Sequence, residues 1–160
     1  MEKNIKFILN SEEVSVDVDV RKSLLDLLRL DFGLTGAKEG CSVGECGACA
    51  VLIDGIAVDT CIYLAVWADG KNIRTVESFE KDGELSNMQK SFAENGAVQC
   101  GFCTPGFIIT ATEMEETGEC FTKDDIKLAL SGHLCRCTGY TKIVEAAEKG
   151  LKNSCSCNHN

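Results

Sequence analysis

Gly40-Cys41-Ser42-Val43-Gly44-Glu45-Cys46-Gly47-Ala48-Cys49, followed after eleven residues by Cys61, is the stretch that decides how this chain folds. Cysteines spaced C-x4-C-x2-C and interleaved with glycine form a loop that bends its thiols toward one object. Gly40, Gly44 and Gly47 supply the backbone freedom that lets the loop turn its N–H groups toward those sulfurs. The residues that follow read as strands. Ala50 to Ile53 and Ile56 to Val58 flank an Asp54-Gly55 turn, a strong hairpin signal, so Cys49 enters a strand and Cys61 returns from the far side of the hairpin.

Outward from this loop the chain divides in two. Toward the N-terminus, Asn4 to Asn10 and Glu13 to Val20 alternate apolar and polar residues and read as a second hairpin. Ser23 to Leu30 reads as a short helix that Gly33 ends. A small mixed sheet crossed by one helix is expected. The polar stretch Glu77 to Gly83 has no periodicity and reads as a linker, after which the period becomes helical. Ser86-Asn87-Met88-Gln89 is a capping box for a helix to about Asn95. Thr104-Pro105 supplies an N-cap and a first-turn proline for a helix ending near Gly118, Thr122 to Asp125 opens one that stops near Gly132, and the last runs from about Thr141 to Gly150. Four helices of about 10 to 14 residues suggest a bundle. The fold class expected is α+β, with a sheet domain over residues 1–76, a linker over 77–83, a helical domain over 84–152 and a frayed tail over 153–160 that holds Cys155, Cys157 and His159.

Composition narrows the function. The 160 residues carry 16 Lys plus Arg against 25 Asp plus Glu, a formal net charge of -9, which argues against a nucleic-acid partner dependent on clustered cations. No segment has the roughly 18 uninterrupted apolar residues of a membrane span, and the N-terminus lacks a signal-peptide core, so a cytoplasmic location is expected. Thiols are kept reduced there, and 11 cysteines then point to metal or cluster binding before disulfides.

The spacing of Cys41, Cys46, Cys49 and Cys61 is that of plant-type two-iron two-sulfur ferredoxins. A structural zinc site is the bland alternative, but zinc sites show paired C-x2-4-C knuckles rather than a close triplet. A second set, Cys100-Gly101-Phe102-Cys103 with Cys135-Arg136-Cys137, lies in the helical half. Each pair sits just before a predicted helix, where free N–H groups favour thiolates. From spacing alone this second set holds either a cluster or one zinc ion.

Gly40 to Cys49, Gln99-Cys100-Gly101-Phe102-Cys103-Thr104-Pro105-Gly106 and Leu134-Cys135-Arg136-Cys137-Thr138-Gly139-Tyr140 occur in that order, and together they resemble the small iron–sulfur subunit of the molybdenum hydroxylases related to xanthine dehydrogenase. The similarity runs from about residue 4 to residue 150. It implies an N-terminal β-grasp ferredoxin domain and a C-terminal four-helix bundle of two-fold pseudosymmetry, each with one two-iron two-sulfur cluster. It assigns Cys41, Cys46, Cys49 and Cys61 to the first cluster and Cys100, Cys103, Cys135 and Cys137 to the second. It also places Gln99 and Cys137 against the pterin of a molybdenum cofactor (molybdopterin) on a partner subunit. The implied role is electron transfer from that centre, where an N-heteroaromatic substrate such as nicotinate or a purine is hydroxylated, to FAD on a medium subunit. The implied assembly is a hetero-oligomer, a dimer of the heteromeric unit. Carbon monoxide dehydrogenases and aromatic acyl-CoA reductases share such a subunit, and a stand-alone ferredoxin with a zinc site in its helical half is the remaining alternative.

Two positions depart from the family pattern: Ser42 stands where many members have Gly, and His133 where many have Asn. Ser42 costs the cluster loop backbone freedom, and His133 reads as a capping or packing residue. Cys120 reads as a half-buried free thiol. Glu113, Glu115 and Glu116 read as a solvated helix face rather than as acid–base machinery. The chain has no nucleophile with a neighbouring base, no phosphate-cradling loop and no dinucleotide fingerprint, so no catalytic residue is expected on it and its enzymatic role is that of one subunit.

Overall fold

The computed structural model describes residues 1–154. Strands β1 (Glu2–Leu9) and β2 (Glu12–Asp19) pair antiparallel, with Phe7 opposite Val14. Their turn passes through Asn10 and Ser11, both at positive φ, the conformation that matches the twist of a tight hairpin. Strands β3 (Ala50–Ile53) and β4 (Ile56–Asp59) form the second hairpin, turned through Asp54 and Gly55 in the same way. The first hairpin stands where the alternation placed it, and the second where the Asp54-Gly55 turn did. A fifth strand, β5 (Asn72–Arg74), joins them, running parallel to β1 and antiparallel to β3, so the five-stranded mixed sheet has the order β2-β1-β5-β3-β4. Three residues are too few to show a period, and β5 has no signal of its own in the sequence.

Helix α1 (Leu24–Asp26) is capped by the Ser23 side chain, which accepts from Asp26 N–H, and continues as a π-helical turn over Leu27–Asp31. Gly33, at φ 68, follows it as expected. Leu24, Leu25, Leu27 and Leu28 pack on Ile5, Phe7, Val51, Ile53 and Ile73 to form one core. The other face of β3 meets a second core. Ala50 and Leu52 point into the cluster built from Met88, Phe92, Phe107, Ile109, Ile126, Ile143 and Ala147. This explains why Ala50–Ile53 is apolar at every position, since a strand buried on both faces does not alternate.

The second core is made by α2 (Asn87–Glu94), α3 (Thr104–Thr117), α4 (Lys123–Ala129) and α5 (Thr141–Ser154). The capping box at Ser86 and Gln89 is formed, and Thr122 with Asp125 forms another. Several details differ from expectation. Helices α2 and α4 have 8 and 7 residues, shorter than foreseen, because a 3-10 turn over Leu130–Gly132 completes the second of them. Cys103, not Thr104, holds the N-cap position of α3, and its side chain makes no capping hydrogen bond. Helix α5 continues past the end expected near Gly150, with Leu151 buried in the core, and runs to Ser154, into the stretch read as a tail from residue 153. Cys155, Cys157 and His159 lie outside the described residues.

The stretch read as a linker contains a 3-10 turn over Val76–Phe79, with Phe79 buried in the helical core, and a bridge between Lys81 and Glu84. Further ties cross between the halves. The Arg74 guanidinium holds the Glu116 carboxylate through two hydrogen bonds of 2.8 and 2.5 Å, and Gln89 Nε2 donates to the Val76 carbonyl. The acidic run of α3 is therefore not simply a solvated face: Glu116 pairs with Arg74, and Glu115 accepts from Asn87 Nδ2. Cys120 is exposed rather than half-buried, since it follows the α3 terminus beyond the core. Among the described residues no helix is long and apolar enough to cross a membrane.

Candidate metal centres

Residues 40–49 wrap without regular structure, and their conformation is dictated by backbone. Ser42 adopts φ 58, and Gly44 and Gly47 adopt φ 76 and 68. Ser42 thus takes the left-handed geometry that its family's glycine favours, with its hydroxyl donating to Glu39 Oε1 at 2.9 Å. The N–H groups of Val43 and Glu45 then reach Cys41 Sγ at 3.5 and 3.3 Å. Those donors lower the Cys41 thiol to about 6, from an ordinary value of 9.0. Gly40 has no room for a side chain, because a Cβ there meets Cys46 Sγ at 2.8 Å.

The Cys41 and Cys46 thiols are near enough to act on each other's ionisation, and so are those of Cys49 and Cys61. Cys49 is buried at the mouth of β3, and burial pushes its thiol up to about 12. The hairpin brings Cys61 back beside it, pinned by the buried Thr60 hydroxyl donating to the Cys49 carbonyl at 2.8 Å. All four residues singled out in the sheet half therefore come together in two pairs.

The second set assembles in the same paired way. Cys100 and Cys137 sulfurs stand 3.6 Å apart at an exposed edge, while Cys103 and Cys135 face each other further in. Burial raises Cys103 to about 12, so the start of α3 does not outweigh desolvation there. For Cys135 burial also acts upward, but the Thr138 hydroxyl at 3.1 Å and the Thr138 N–H at 3.4 Å overcome it and hold the thiol near 7. Gln99, adjacent to Cys100, is exposed beside the same edge as Cys137. Tyr140, at φ 68, accepts the Cys135 N–H on its hydroxyl at 3.0 Å, a contact that sequence spacing does not reveal.

The donor set fits two-iron clusters. The thiols approach in twos, and two thiolates per iron is what a two-iron cluster takes. N–H donors already point at Cys41 and Cys135, the contacts that stabilise negative sulfur.

His133 sits between the two cysteine sets. It is 7% exposed, its Nε2 lies 2.7 Å from Thr110 Oγ1, and its ring centroid is 4.9 Å from that of Phe107. Burial lowers its pKa from the ordinary 6.5, and it serves as a packing residue, as expected.

A fold of this kind with two four-cysteine sites defines a protein with two iron–sulfur domains, and two family models agree. One described as "2Fe-2S iron-sulfur cluster binding domain" matches residues 7–72, and one described as "[2Fe-2S] binding domain" matches residues 75–148. The chain is 52% identical over 148 residues to the nicotinate dehydrogenase small FeS subunit of Eubacterium barkeri, covering 92% of this chain and 94% of that one. It is 54% identical over 123 residues to the xanthine dehydrogenase iron-sulfur-binding subunit of Escherichia coli O157:H7, covering 76% and 77%. In structure it is similar to a chain of quinoline 2-oxidoreductase from Pseudomonas putida 86, with TM-score 0.91, 38% identity and 96% of each chain covered. It also matches 17% of the aldehyde oxidoreductase chain of Desulfovibrio gigas, with TM-score 0.88, 36% identity and 93% of this chain covered. The chain belongs to the family of small iron–sulfur subunits of the xanthine dehydrogenase-type molybdenum hydroxylases.

Proposed function

We propose that this chain is the electron-transfer subunit of a molybdenum hydroxylase, accepting electrons from a molybdopterin centre on a large partner subunit and passing them to FAD on a medium subunit. The observation that carries this reading is the gathering of eight cysteines into four thiol pairs, two pairs in each half of the chain. Cys41 with Cys46 and Cys49 with Cys61 hold the first cluster. Cys100 with Cys137 and Cys103 with Cys135 hold the second. Two-iron two-sulfur clusters supply one-electron carriers, which let a two-electron oxidation on one subunit be drained singly to another.

The protein's own contribution is positional and electrostatic. Val43, Glu45 and Thr138 direct donors at thiolate sulfur, which favours the more negative, reduced state of each site. Burial of Cys49 and Cys103 keeps water from one side of each site. Gln99 and Cys137, both exposed, form the surface that meets the pterin, and the Cys41 loop forms the exit toward FAD. In this reading residues 1–76 are a β-grasp ferredoxin domain and residues 84–152 a pseudosymmetric four-helix bundle, joined over 77–83. The assembly is a cytoplasmic dimer of the heteromeric unit. The relatives named for nicotinate and xanthine dehydrogenases favour an N-heteroaromatic substrate.

Iron and acid-labile sulfide per chain, with EPR of the dithionite-reduced native complex, tests the proposal. Two distinguishable rhombic signals with equal iron and sulfide support it. One signal, or zinc in the helical half, overturns the assignment of the second site.

A further inference from the structure

Cys120, Cys155 and Cys157 belong to neither four-cysteine set, and the fold brings the places from which they project to one corner of the helical half. Cys120 lies in the turn between α3 and α4, and Cys155 is the residue that follows the last residue of α5. Hydrogen bonds join the ends of these two helices. Asn87 Nδ2 donates to Glu115 Oε1, in the last turn of α3, at 2.6 Å and to the Gly150 carbonyl of α5 at 2.9 Å, and Asn153 Nδ2 donates to Asn87 Oδ1 at 3.3 Å. On the other side of the turn, the Glu145 and Glu148 carboxyls of α5 are held low by their partners Lys142 and Lys152 and also by Lys123, which opens α4 and so lies beside α5. The turn over 118–122 is therefore held across the C-terminal half of α5. Cys120 is exposed, but its neighbours are fixed: Gly118 ends α3 at φ 70, Glu119 N–H donates to Thr117 Oγ1 at 3.2 Å, Phe121 packs against the core and Thr122 caps α4.

We propose that Cys120 and Cys155 form a thiol pair that closes to a disulfide in an oxidised thiol pool and reopens in a reduced one, a modification site separate from both four-cysteine sites. Chain reach selects Cys155. One residue spans at most about 3.6 Å, so Cys155 stays one step from a helix end that is bonded through Asn153 and Asn87 to the end of α3, whereas Cys157 is two residues further out. The oxidant is a low-molecular-weight disulfide. The Cys120 thiolate attacks one of its sulfurs, the small S–S bond breaks and one small thiolate leaves. The Cys155 thiolate then attacks Cys120 Sγ, the mixed S–S bond breaks and the second small thiolate leaves. The two cysteine protons end on the two released thiols, and the two electrons lost by the pair reduce the small disulfide.

The closed form joins residues 120 and 155 around a loop that contains α4, Cys135, Cys137 and α5. A crosslink removes freedom from the unfolded chain, so closure resists the opening of the two helices that flank Cys135 and Cys137. Where thiols are kept reduced the pair stands open, and an oxidised thiol pool closes it.

The test incubates the native complex with oxidised or with reduced glutathione, labels it with iodoacetamide without denaturant, and maps its peptides by mass without reduction. After oxidised glutathione, a linked pair joining Cys120 to Cys155 is expected, two hydrogen masses lighter than its two peptides together and unlabelled at both cysteines. Reduced glutathione, or dithiothreitol added afterwards, is expected to give both peptides separately with label. The thermal midpoint of the full chain is expected to be about 5–15 °C higher in the oxidised form. That difference is expected to vanish in Cys120→Ser, which changes an exposed side chain, and in Cys155→Ser, the second control. Glutathione adducts without the link, or a link of Cys157 to either cysteine in its place, overturn the pair. A midpoint that rises equally in both serine variants overturns the clamping role. The result is independent of the iron content of the complex, so failure of the electron-transfer reading and failure of this pair are separate outcomes.

Discussion

Gly106→Ala adds one methyl group at the place where the two halves of the chain touch. The new Cβ meets the Gly47 carbonyl oxygen at 2.3 Å and the Gly47 carbonyl carbon and His133 Nδ1 at 3.2 Å. Two of these three obstacles are backbone atoms in the turn between Cys46 and Cys49, so they cannot swing aside as a side chain does. Replacing Gly by Ala within a helix ordinarily stabilises by about 0.5–1 kcal/mol. Overpacking a close-packed site costs about 1–3 kcal/mol, and the backbone obstacles put this case at about 2–3, so the net expectation is a loss of about 1–2 kcal/mol. In a chain of this size that lowers the melting temperature by about 2–8 °C. Gly150→Ala in α5 is the contrast, because its Cβ meets Met88 Sδ at 2.7 Å and Cε at 2.9 Å, the far end of a flexible thioether. There the helix gain and the repacking cost offset, and stability within about 1 kcal/mol of wild type is expected. Anaerobic thermal melts of the cluster-loaded proteins, followed by visible absorbance and far-UV circular dichroism, compare the two. The first cluster should also bleach earlier than the second in Gly106→Ala. A Gly106→Ala protein as stable as wild type refutes the claim that the Gly47 turn is locked against α3.

Three other outcomes follow from the same contacts. Cys137→Ser should impair reduction of both clusters by substrate while the first cluster still assembles, whereas Cys46→Ser should spare reduction of the second cluster and block flavin reduction; stopped-flow spectra of the complex read both, and undisturbed turnover in Cys137→Ser makes the assumed direction of flow wrong. Tyr140→Phe leaves the Cys135 N–H without its acceptor, so a loss of about 0.5–1.5 kcal/mol and a shift confined to the second cluster's potential are expected in a redox titration monitored by EPR, and an equal shift of both potentials would contradict a local role. Arg74→Ala breaks a two-bonded but half-exposed pair with Glu116, so destabilisation of about 0.5–1 kcal/mol that shrinks in high salt is expected from urea melts, and a salt-independent loss argues that Arg74 acts instead by packing over Phe79.

The parts of the fold legible in the sequence are those whose cause is local. The Asp54-Gly55 turn and the Ser86 and Thr122 boxes each act through residues within a few positions, and each stands where its signal lies. Strand β5 and the π-helical turn after α1 were hidden because their cause is tertiary. Asn72–Arg74 becomes a strand only by fitting between β1 and β3, and the turn over Leu27–Asp31 buries Leu27 and Leu28 in the core beneath the sheet. The candidate site divides the same way. The cysteines and glycines of the first loop are legible because a cluster needs them close in sequence. Nothing in the spacing shows that Tyr140 returns to Cys135 or that Leu134 meets Cys46, since those contacts depend on how the halves dock. Cys120 misled for the reverse reason: its neighbours in sequence suggest packing, while its place past the end of α3 leaves it at the surface.

The docking of the halves also bears on whether the sheet half is a ferredoxin with an appendage. A free ferredoxin must cover its own strands, but here one face of β3 belongs to the other half: Leu52 is 0% exposed and Ala50 4%, both packed among residues of α3 and its neighbours. Burying a leucine side chain contributes about 1.5–3 kcal/mol, a large share of the stability of a domain of this size. The cysteine loop depends on the same contact, since Gly47 rests against Gly106 and His133. A sheet half that needs the helical half both to close its core and to back its metal-binding loop is built as a joined pair of sites. Such an arrangement suits a relay between two partners rather than a carrier that diffuses alone.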